Sequence, residues 1–242
     1  MPRRRADLVL VERGLFDSRA KAQAAIEAGL VTADGVAVRK ASEPLDAAAA
    51  IRATPPHPWV SRGGVKLAAA LDAFAIEPAG WVCLDLGAST GGFTQVLLKR
   101  GAIRVYAADV GHGQLHPRIA ANPRVVSLEG VDARRLDAAL IPEPIDLLVA
   151  DVSFISLTLV LPPALPLLRP AAALVALVKP QFEAGRAHVR KGIVREAGVH
   201  RAVCDDVAAF VASLGFAVLG PIPSPIAGGD GNREFLLGAR RG

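Results

Sequence analysis

Runs of apolar and β-branched residues recur from residue 81 onward, and segments with helical character separate most of them. The five clearest runs lie at 81–86, 104–110, 124–128, 145–151 and 173–178. Two further strand candidates, 216–219 and 234–237, follow a predicted helix over 198–214. Strands that are apolar along their whole length and alternate with helices are typical of a parallel sheet covered on both faces. The pattern predicts an α/β fold with a doubly wound, mostly parallel sheet of about seven strands.

The first 53 residues differ from the rest and predict a small α+β domain. The buried face of a short first helix is expected at Leu8, Val9, Val11 and Leu15. A second helix, capped by Asp17 or Ser18, carries Ala22, Ala25 and Ile26 on one face. Residues 31–38 predict a tight hairpin, because Asp34-Gly35 is a preferred turn pair. The proline-rich segment 54–60 is expected to be a linker, followed by a second domain over 61–242.

One stretch, residues 157–178, is almost entirely apolar and resembles a membrane span in length. Four prolines and Arg169 interrupt it, whereas a spanning helix needs about 20 apolar residues with an unbroken hydrogen-bond ladder. We therefore expect a short helix, a break and a buried strand here, and no membrane partner.

The composition narrows the class of protein. Hydrophobic residues make up 52% and charged residues 21% of the 242 positions, so extensive disorder is excluded. Lys and Arg exceed Asp and Glu by 28 − 23 = 5, a mild basic bias that permits a polyanionic partner. The two cysteines, Cys83 and Cys204, cannot build a disulfide scaffold or a zinc cluster. No apolar run follows the charged N-terminus, so we expect a cytoplasmic protein.

A glycine-rich turn joins the first strand of the predicted sheet to the next helix. Residues 85–93 read Asp-Leu-Gly-Ala-Ser-Thr-Gly-Gly-Phe, and glycines at such a turn let a ligand approach a helix N-terminus closely. The spacing is neither the dinucleotide fingerprint nor a P-loop. Asp109 ends the next strand, where a carboxylate can hold ribose hydroxyls, and Asp132 follows the third strand, where it is expected to reach an adenine edge. These positions favour an adenosine-bearing ligand; the alternative is that the glycines only shape a turn.

Several motifs together resemble the TlyA family. They are D-L-G-A-S-T-G-G-F at 85–93, A-A-D-V-G at 107–111, D-V-S-F-I-S at 151–156, L-V-K-P-Q-F-E at 177–183, W-V-S-R-G-G-V-K-L at 59–67 and G-N-R-E-F at 231–235. The N-terminal segment resembles the S4 RNA-binding domain. The resemblance spans essentially the whole chain. It implies a Rossmann-like, FtsJ-like enzyme that uses S-adenosyl-L-methionine to methylate the ribose 2′-hydroxyl of cytidine in ribosomal RNA of one or both subunits.

The resemblance also implies which residues do this. The catalytic set is Lys66, Asp151, Lys179 and Glu234. The cofactor contacts are Asp85, Gly87, Ala88, Ser89, Gly91, Gly92, Phe93, Asp109, Val110, Asp132 and Asp151. A ribose hydroxyl must lose its proton, and a lysine can accept it only when its pKa falls well below about 10.4. We expect Lys66 and Lys179 to lie side by side, with Asp151 orienting Lys179 and Glu234 holding Lys66, and no metal ion.

Each catalytic candidate, taken singly, also has a purely structural interpretation: a solvated or snorkelling lysine, a helix cap or a surface ion pair. Ser153 and Ser156 beside Asp151 suggest a hydrolase, but the G-x-S-x-G nucleophile elbow is absent. Two further alternatives are a membrane-lytic haemolysin, a name that the family also carries, and an RNA-binding assembly factor without catalysis.

Basic residues indicate where ribosomal RNA or a ribosomal subunit would bind. Residues 1–60 contain nine Lys and Arg against seven Asp and Glu, so the net charge there is small and clustering matters more. Phosphate contacts are expected at Arg3, Arg4, Arg5, Arg19, Lys21, Arg62, Arg190 and Lys191. Arg190 and Lys191 belong to a second basic group with Arg186 and Arg195. Such contacts weaken with salt and read no bases, and the target ribose is expected to be extruded from a stem or splayed in a loop.

Overall fold

The computed structural model describes residues 3–229 and 231–242 and divides the chain into two compact units, one ending at Pro58 and the other beginning at Trp59. The boundary falls inside the proline-rich segment 54–60.

The N-terminal unit combines two helices with short strands. Its helices are α1 (Ala6–Glu12) and α2 (Arg19–Glu27), and its strands are β1 (Arg4–Arg5), β2 (Val31–Ala33), β3 (Val36–Ala37), β4 (Pro44–Leu45) and β5 (Ile51–Ala53). β1 pairs with β4, and β2 pairs with β3 and β5, all antiparallel. The predicted hairpin is confirmed: Asp34 and Gly35 have φ of +50° and +80°, the left-handed pair that a two-residue turn requires. Ser18 caps α2, as its Oγ accepts the Lys21 N–H at 3.3 Å.

The buried face of the first helix differs from the prediction: Leu8 and Val11 are only half-buried, and Leu10, which was not predicted, is fully buried. Val9 and Leu10 are buried, but Leu15 is 39% exposed. α1 ends at Glu12, so the helical spacing that relates Val11 to Leu15 does not continue. Phe16 enters this core instead.

Asp7 is a fully buried carboxylate that connects three side chains of this unit. It accepts hydrogen bonds from Arg5 Nε at 3.0 Å, Arg19 Nη2 at 2.9 Å and Gln23 Nε2 at 2.8 Å. The bond from Arg5 is the main reason that the pKa of Asp7 lies well below its usual range, with Gln23 and Arg19 acting in the same direction against the effect of burial. The two arginines therefore balance a charge that α1 would otherwise bury without a partner.

The second unit is built on a seven-stranded sheet. Its strands are β6 (Val82–Leu86), β7 (Arg104–Asp109), β8 (Val125–Glu129), β9 (Ile145–Ala150), β10 (Leu168–Val178), β11 (Phe216–Pro223) and β12 (Phe235–Arg241). The spatial order is β11-β12-β10-β9-β6-β7-β8, and only β12 runs antiparallel to its neighbours. The predicted doubly wound, mostly parallel sheet is confirmed.

Helices cover both faces of this sheet. They are α3 (Gly63–Ala73), α4 (Gly92–Lys99), α5 (Pro117–Ala120), α6 (Leu157–Ala164), α7 (Pro180–Glu183) and α8 (Ala197–Ser213). One core contains Leu67 and Leu97 from α3 and α4 with Leu147 of β9, and the opposite core contains Leu148 with residues of α6 and α8. Because neighbouring residues of β9 point into different cores, the strand is apolar from Leu147 to Ala150.

The apolar segment 157–178 forms a short helix (α6), a 3-10 turn over Leu165–Leu167 and strand β10, as predicted. β10 begins at Leu168, earlier than expected, because Leu168 pairs with Ile145. The ladder to β9 is irregular between Leu168 and Ala173, and Pro170 is tolerated in this interruption because no ladder hydrogen bond is needed there. Among the described residues, no helix has both the length and the apolar character that crossing a bilayer would demand.

The order of the strands creates a crevice at the carboxyl edge of the sheet. The chain passes from β6 to β7 and β8 on one side and then returns to β9 on the other side of β6. Leu86 pairs with Ala150 and with Ala108, so these three strands end at one level. Open α/β sheets bind their ligands at such a switch point.

Replacing Asp7 by Asn should destabilise the N-terminal unit by about 2–3 kcal/mol, since the buried network loses its negative charge and one of its two acceptor oxygens. Because folding lowers the pKa of Asp7, its contribution is complete above the unfolded value of about 3.9 and is lost as the pH falls through the lowered folded value. The difference between the parent and Asp7→Asn should therefore be full at pH 7 and shrink in acid. This difference in stability can be measured by urea unfolding, with amide hydrogen exchange in α1 and α2 as the probe.

Glu12→Gln is the matched control. Glu12 pairs with Arg4, and both side chains are 48% exposed, so its loss should cost at most about 1 kcal/mol. Equal losses for the two variants would show that Asp7 does not stabilise this unit in the way described.

Candidate active site

The glycine loop between β6 and α4 fits closely against the strand end next to it. Gly87 has a φ of +80°, and a Cβ there would lie 2.6 Å from the backbone oxygen of Asp151. Gly91 has a φ of +89° and precedes α4, and a Cβ there would meet Leu115 Cδ1 at 2.9 Å. A Cβ on Gly92 would collide with Ser61 Oγ. The glycines are therefore required by backbone conformation and by packing, and they leave the N–H groups at the start of α4 accessible to a ligand.

Asp85 supports this loop from below and does not face the crevice. Its side chain is fully buried, and Thr94 Oγ1 donates a hydrogen bond to Asp85 Oδ2 at 2.6 Å. Burial raises the pKa of Asp85 to about 7, and the charges of Asp151 and Asp109 add to this, while the bond from Thr94 opposes it. Asp85 was expected to contact the cofactor directly, but its side chain is buried beneath the loop and does not line the pocket. It links the end of β6 to the first turn of α4.

A pocket of about 140 Å³ lies over the glycine loop. It is lined by Ser61, Gly63, Gly87, Ala88, Ser89, Thr90, Gly92, Phe93 and Asp151. Six of these nine were expected at the cofactor site. Ser61, Gly63 and Thr90 were not, although the first two lie in the S-R-G-G motif. Ser61 and Gly63 reach the pocket because α3 begins beside it, and a Cβ on Gly63 would lie 3.6 Å from Asp151 Oδ2. Thr90 belongs to the glycine loop itself.

Asp109, at the end of β7, is held by backbone groups on both sides. Its Oδ2 accepts the Ser89 N–H at 2.8 Å, and its Oδ1 accepts the Gly111 N–H at 2.7 Å. Each carboxylate oxygen has two acceptor sites, so one remains on each for a diol. Val110 follows with 69% exposure, which leaves its side chain open to a planar ligand.

Asp132 is already engaged. It caps a 3-10 helix over Ala133–Arg135 and accepts the Arg134 N–H at 2.9 Å. The Arg134 guanidinium also binds both carboxylate oxygens, with Nη2 2.5 Å from Oδ2. These bonds, the side-chain bond first, lower the pKa of Asp132 to about 2. To hold an adenine amino group, as expected from the sequence, Asp132 must give up a bond to Arg134.

The four catalytic candidates form two separate ion pairs, each between a lysine and a carboxylate. Lys66 Nζ lies 2.5 Å from Glu234 Oε2, and Lys179 Nζ lies 2.7 Å from Asp151 Oδ1. Lys179 also donates a hydrogen bond to Ser153 Oγ at 2.9 Å. Lys66 and Lys179 are 7% and 8% exposed, so neither is a solvated surface lysine. Burying such a pair costs desolvation free energy, which the attraction between the charges offsets only when their geometry is good.

The register of the sheet explains how residues so distant in sequence meet. Val178 of β10 pairs with Phe235 of β12 in antiparallel fashion. Lys179, just after β10, and Glu234, just before β12, therefore lie at the same edge of neighbouring strands. Asp151 follows β9, the other neighbour of β10. Lys66 reaches Glu234 from the first turns of α3.

The loop after β9 is fixed by Glu183 and exposes an aromatic ring. Glu183 Oε2 accepts the Ser156 hydroxyl at 2.6 Å and Oε1 accepts the Leu157 N–H at 2.9 Å, so the segment after Lys179 holds the segment after Asp151. Phe154, in that loop, is 90% exposed with a φ of +64°. Its ring centroid lies 5.0 Å from that of Phe182. Phe154 was not singled out from the sequence, although this residue lies inside the D-V-S-F-I-S motif; only the structure reveals its exposure and a φ that bulky residues rarely adopt.

The predicted basic cluster of the N-terminal unit is largely paired with carboxylates. Arg5 and Arg19 share Asp7, Arg4 binds Glu12, and Lys21 binds Asp17 at 3.0 Å. Asp7 does bring Arg5 and Arg19 together. The other residues that were predicted to contact RNA are exposed. They are Arg3 in the N-terminal unit and Arg62, Arg190 and Lys191 in the second unit. Arg62 Nη2 would lie 3.6 Å from a Cβ on Gly229, close in sequence to Glu234.

Within residues 3–229 and 231–242, no three His, Cys, Asp or Glu side chains are grouped so that they could hold a metal ion.

Comparison with known proteins identifies the family. The FtsJ-like methyltransferase family matches residues 59–241, and the S4 domain family matches residues 4–51. A curated relative from Mycobacterium tuberculosis, the 16S/23S rRNA (cytidine-2′-O)-methyltransferase TlyA, is 47% identical over 241 residues, which are 98% of this chain and 90% of the relative. The chain belongs to the TlyA family of FtsJ-like methyltransferases.

Other members of the TlyA family carry a different name. Hemolysin A of Brachyspira hyodysenteriae is 39% identical over 234 residues, covering 96% of this chain and 98% of that protein. The solved structure of a candidate hemolysin from Streptococcus thermophilus superposes with a TM-score of 0.78 at 41% identity, covering 100% of this chain and 89% of that one. The TlyA-family resemblance of the sequence is confirmed over both units.

Gly87→Ala should destabilise the second unit, here called the catalytic unit, more than Gly80→Ala. The two glycines have φ of +80° and +78°, but a Cβ at Gly80 meets nothing within 4 Å. Gly80→Ala should therefore cost about 1–2 kcal/mol from backbone conformation alone. Gly87→Ala should cost about 1–3 kcal/mol more, because the backbone of Asp151 stands in the way. Denaturant midpoints measure both, and equal costs would mean that the loop and the end of β9 do not need this close fit.

Asp85→Asn should change how stability depends on pH. Because folding raises the pKa of Asp85 to about 7, the stability that its protonated form provides is complete below the unfolded value of about 3.9 and is lost as the pH rises through about 7. The parent should lose stability over this range, whereas Asp85→Asn, which keeps an acceptor for Thr94, should lose less. Urea unfolding at several pH values measures the slope. Asp72→Asn is the control, because Asp72 is the exposed partner of Arg100, and it should keep the parental slope. An unchanged slope for Asp85→Asn would contradict the raised pKa of Asp85.

Proposed function

We propose that this protein transfers a methyl group from S-adenosyl-L-methionine to the ribose 2′-hydroxyl of cytidine in ribosomal RNA, in the small subunit, the large subunit or both. The observation that carries the proposal is the pair of buried lysines at the carboxyl edge of the sheet, each held by its own carboxylate beside the glycine loop. The relatives named for this reaction support the choice of substrate. Ribosomal RNA as substrate also implies that the protein works in the cytoplasm.

The crevice suits this cofactor in charge and shape. Glycine backbone with positive φ approaches the N-terminus of α4, Phe93 lines the pocket and Asp109 has free acceptor positions for a ribose diol. We assign the cofactor to Gly87, Gly91, Phe93 and Asp109, with Asp132 available once Arg134 releases it. S-adenosyl-L-methionine supplies, when bound, a methyl group on a positively charged sulfur, which is already reactive toward an oxygen nucleophile.

Lys179 is the residue that we expect to act on the hydroxyl. To accept the hydroxyl proton, Lys179 must first release one ammonium proton to solvent, which leaves a neutral amine with two N–H bonds and one lone pair. Lys179 Nζ donates a hydrogen bond to Ser153 Oγ and lies 2.7 Å from Asp151 Oδ1, and the lone pair of the neutral amine is left for the ribose hydroxyl. As the oxygen forms its bond to the methyl carbon and the bond from carbon to sulfur breaks, the hydroxyl proton passes to Lys179 Nζ. Lys66, fixed by Glu234, is available to hold the ribose in position for the transfer.

Phe154 gives this site a surface for a nucleobase. Its ring is 90% exposed and lies in the same short loop as Ser153, the partner of Lys179. Base stacking on an aromatic ring is worth about 1–3 kcal/mol and suits a nucleotide that has left its helix. A cytidine stacked on Phe154 would bring its ribose next to Lys179.

Lys179→Met tests the catalytic assignment, because methionine keeps the apolar stem and removes the amine. We expect kcat to fall by about 100-fold or more, with the affinity for S-adenosyl-L-methionine little changed. The measurement is transfer of a labelled methyl group to unmodified ribosomal subunits, followed by nucleoside analysis for 2′-O-methylcytidine. Lys99→Met, at the far end of α4 where Lys99 lies over Trp59, is the matched control and should keep the parental rate.

Label that appears on a base rather than on a ribose would contradict the reaction. A parental rate for Lys179→Met would contradict the role of this residue. A parent that binds ribosomal RNA but not S-adenosyl-L-methionine would replace the proposal with a non-catalytic assembly factor.

A further inference from the structure

A short basic hairpin projects from the segment between α7 and α8. Arg190 and Ile193 bond each other in both directions, N–H to O, at 3.0 Å. Lys191 and Gly192 form the tip, with φ of +51° and +77°. A glycine adopts this conformation freely, but a residue with a side chain is strained in it. The chain therefore presents a lysine side chain at a position where a glycine would fit better.

The cations around this hairpin lack carboxylate partners. None of the following four forms an ion pair with another described residue, and all are exposed: Arg186, Arg190, Lys191 and Arg195. The basic residues of the N-terminal unit differ, since Arg4, Arg5, Arg19 and Lys21 are each bound to a carboxylate. Unpaired, exposed cations keep their full charge for a polyanion.

A buried amide fixes the hairpin to the body of the catalytic unit. Asn232 is 2% exposed. Its Nδ2 donates to Gly192 O at 2.9 Å, and its Oδ1 accepts the Val194 N–H at 3.2 Å. On the same stem, His200 Nε2 lies 2.9 Å from Val194 O and donates to it. Both the tip and the stem are thus bonded to side chains of the folded core.

Asn232 also stands two residues before Glu234, the partner of Lys66. The backbone oxygen of Asn232 accepts the Gly228 N–H at 2.9 Å, and the backbone oxygen of Glu234 accepts the Ser224 N–H at 2.9 Å. A Cβ on Gly228 would lie 2.6 Å from Glu234 Oε1, so this loop encloses the carboxylate. The segment that holds the hairpin is therefore the segment that holds Glu234 against Lys66.

We propose that the hairpin 190–193 binds a phosphodiester group of the substrate RNA through Lys191, and that Asn232 is a positioning residue that couples this contact to the Glu234–Lys66 pair. The proposal deepens the proposed function and depends on RNA being the substrate. When a phosphate of the RNA binds to the hairpin, the RNA strand is held at a fixed distance from Lys66 and Lys179.

Lys191→Gly tests the contact, since glycine removes the charge and relieves the strained backbone. Binding to protein-free ribosomal RNA should weaken about three- to tenfold at low salt, and the slope of log K against log salt should fall by about 1. Affinity for S-adenosyl-L-methionine and the unfolding midpoint should not fall. Arg240→Ala is the control, because Arg240 lies at the opposite edge of the sheet, paired with Ala173, and it should leave the slope unchanged.

Asn232→Ala tests the coupling. It should lower the salt slope as Lys191→Gly does and also lower kcat at saturating RNA, whereas Lys191→Gly should mainly raise the KM for RNA. Adding Lys191→Gly to Asn232→Ala should then produce no further loss of slope. If Asn232→Ala fails to fold, Asn232→Asp serves, because it keeps the acceptor for Val194 and loses the donor to Gly192.

A parental slope for Lys191→Gly, or additive slopes in the double variant, would overturn the inference even if the parent methylates RNA normally. If the slopes change as expected but the parent transfers no methyl group, the proposed reaction fails while the RNA contact stands.

Discussion

The site depends on one close contact between two backbone segments. The turn at Gly87 lies so near the carbonyl of Asp151 that no side chain fits between them. This contact joins the loop proposed to hold the cofactor to the carboxylate that binds Lys179. Because both segments leave parallel strands at one level, β6 and β9, the sheet sets their separation. Asp85 and Thr94 maintain the same geometry from beneath.

Buried charge is the second constraint. Four charged side chains lie at the carboxyl edge of the sheet, and each is neutralised by one partner at 2.5–2.7 Å. Such pairs contribute little net stability, because desolvation offsets much of the attraction. What they provide is position: each lysine nitrogen is held against its own carboxylate at a fixed place in the site. The N-terminal unit uses the same device with Asp7, Arg5 and Arg19, and there the result is a balanced core.

Much of the fold followed from the sequence, since apolar runs mark buried parallel strands and their ends mark the ligand edge. The grouping of Asp151 and Lys179 was also accessible, because both follow such runs. Leu15 was assigned wrongly because a short helix ended before its pattern did. Asp132 was expected to be available, yet Arg134, two residues away, saturates it. The N-terminal arginines were counted as free charge, and only the folded chain reveals that Asp7 turns inward to meet them. Ser61 and Gly63 reach the pocket through the placement of α3, which periodicity does not encode.

The bond between Lys66 and Glu234 spans 168 positions of the chain. It joins the first helix of the catalytic unit to the start of the last strand, which enters the sheet between β10 and β11. During synthesis, every other part of the crevice can be in place while Lys66 still lacks its counter-charge. Completion of the site therefore waits for the final strand, so a nascent or prematurely ended chain carries the cofactor loop without a finished catalytic centre.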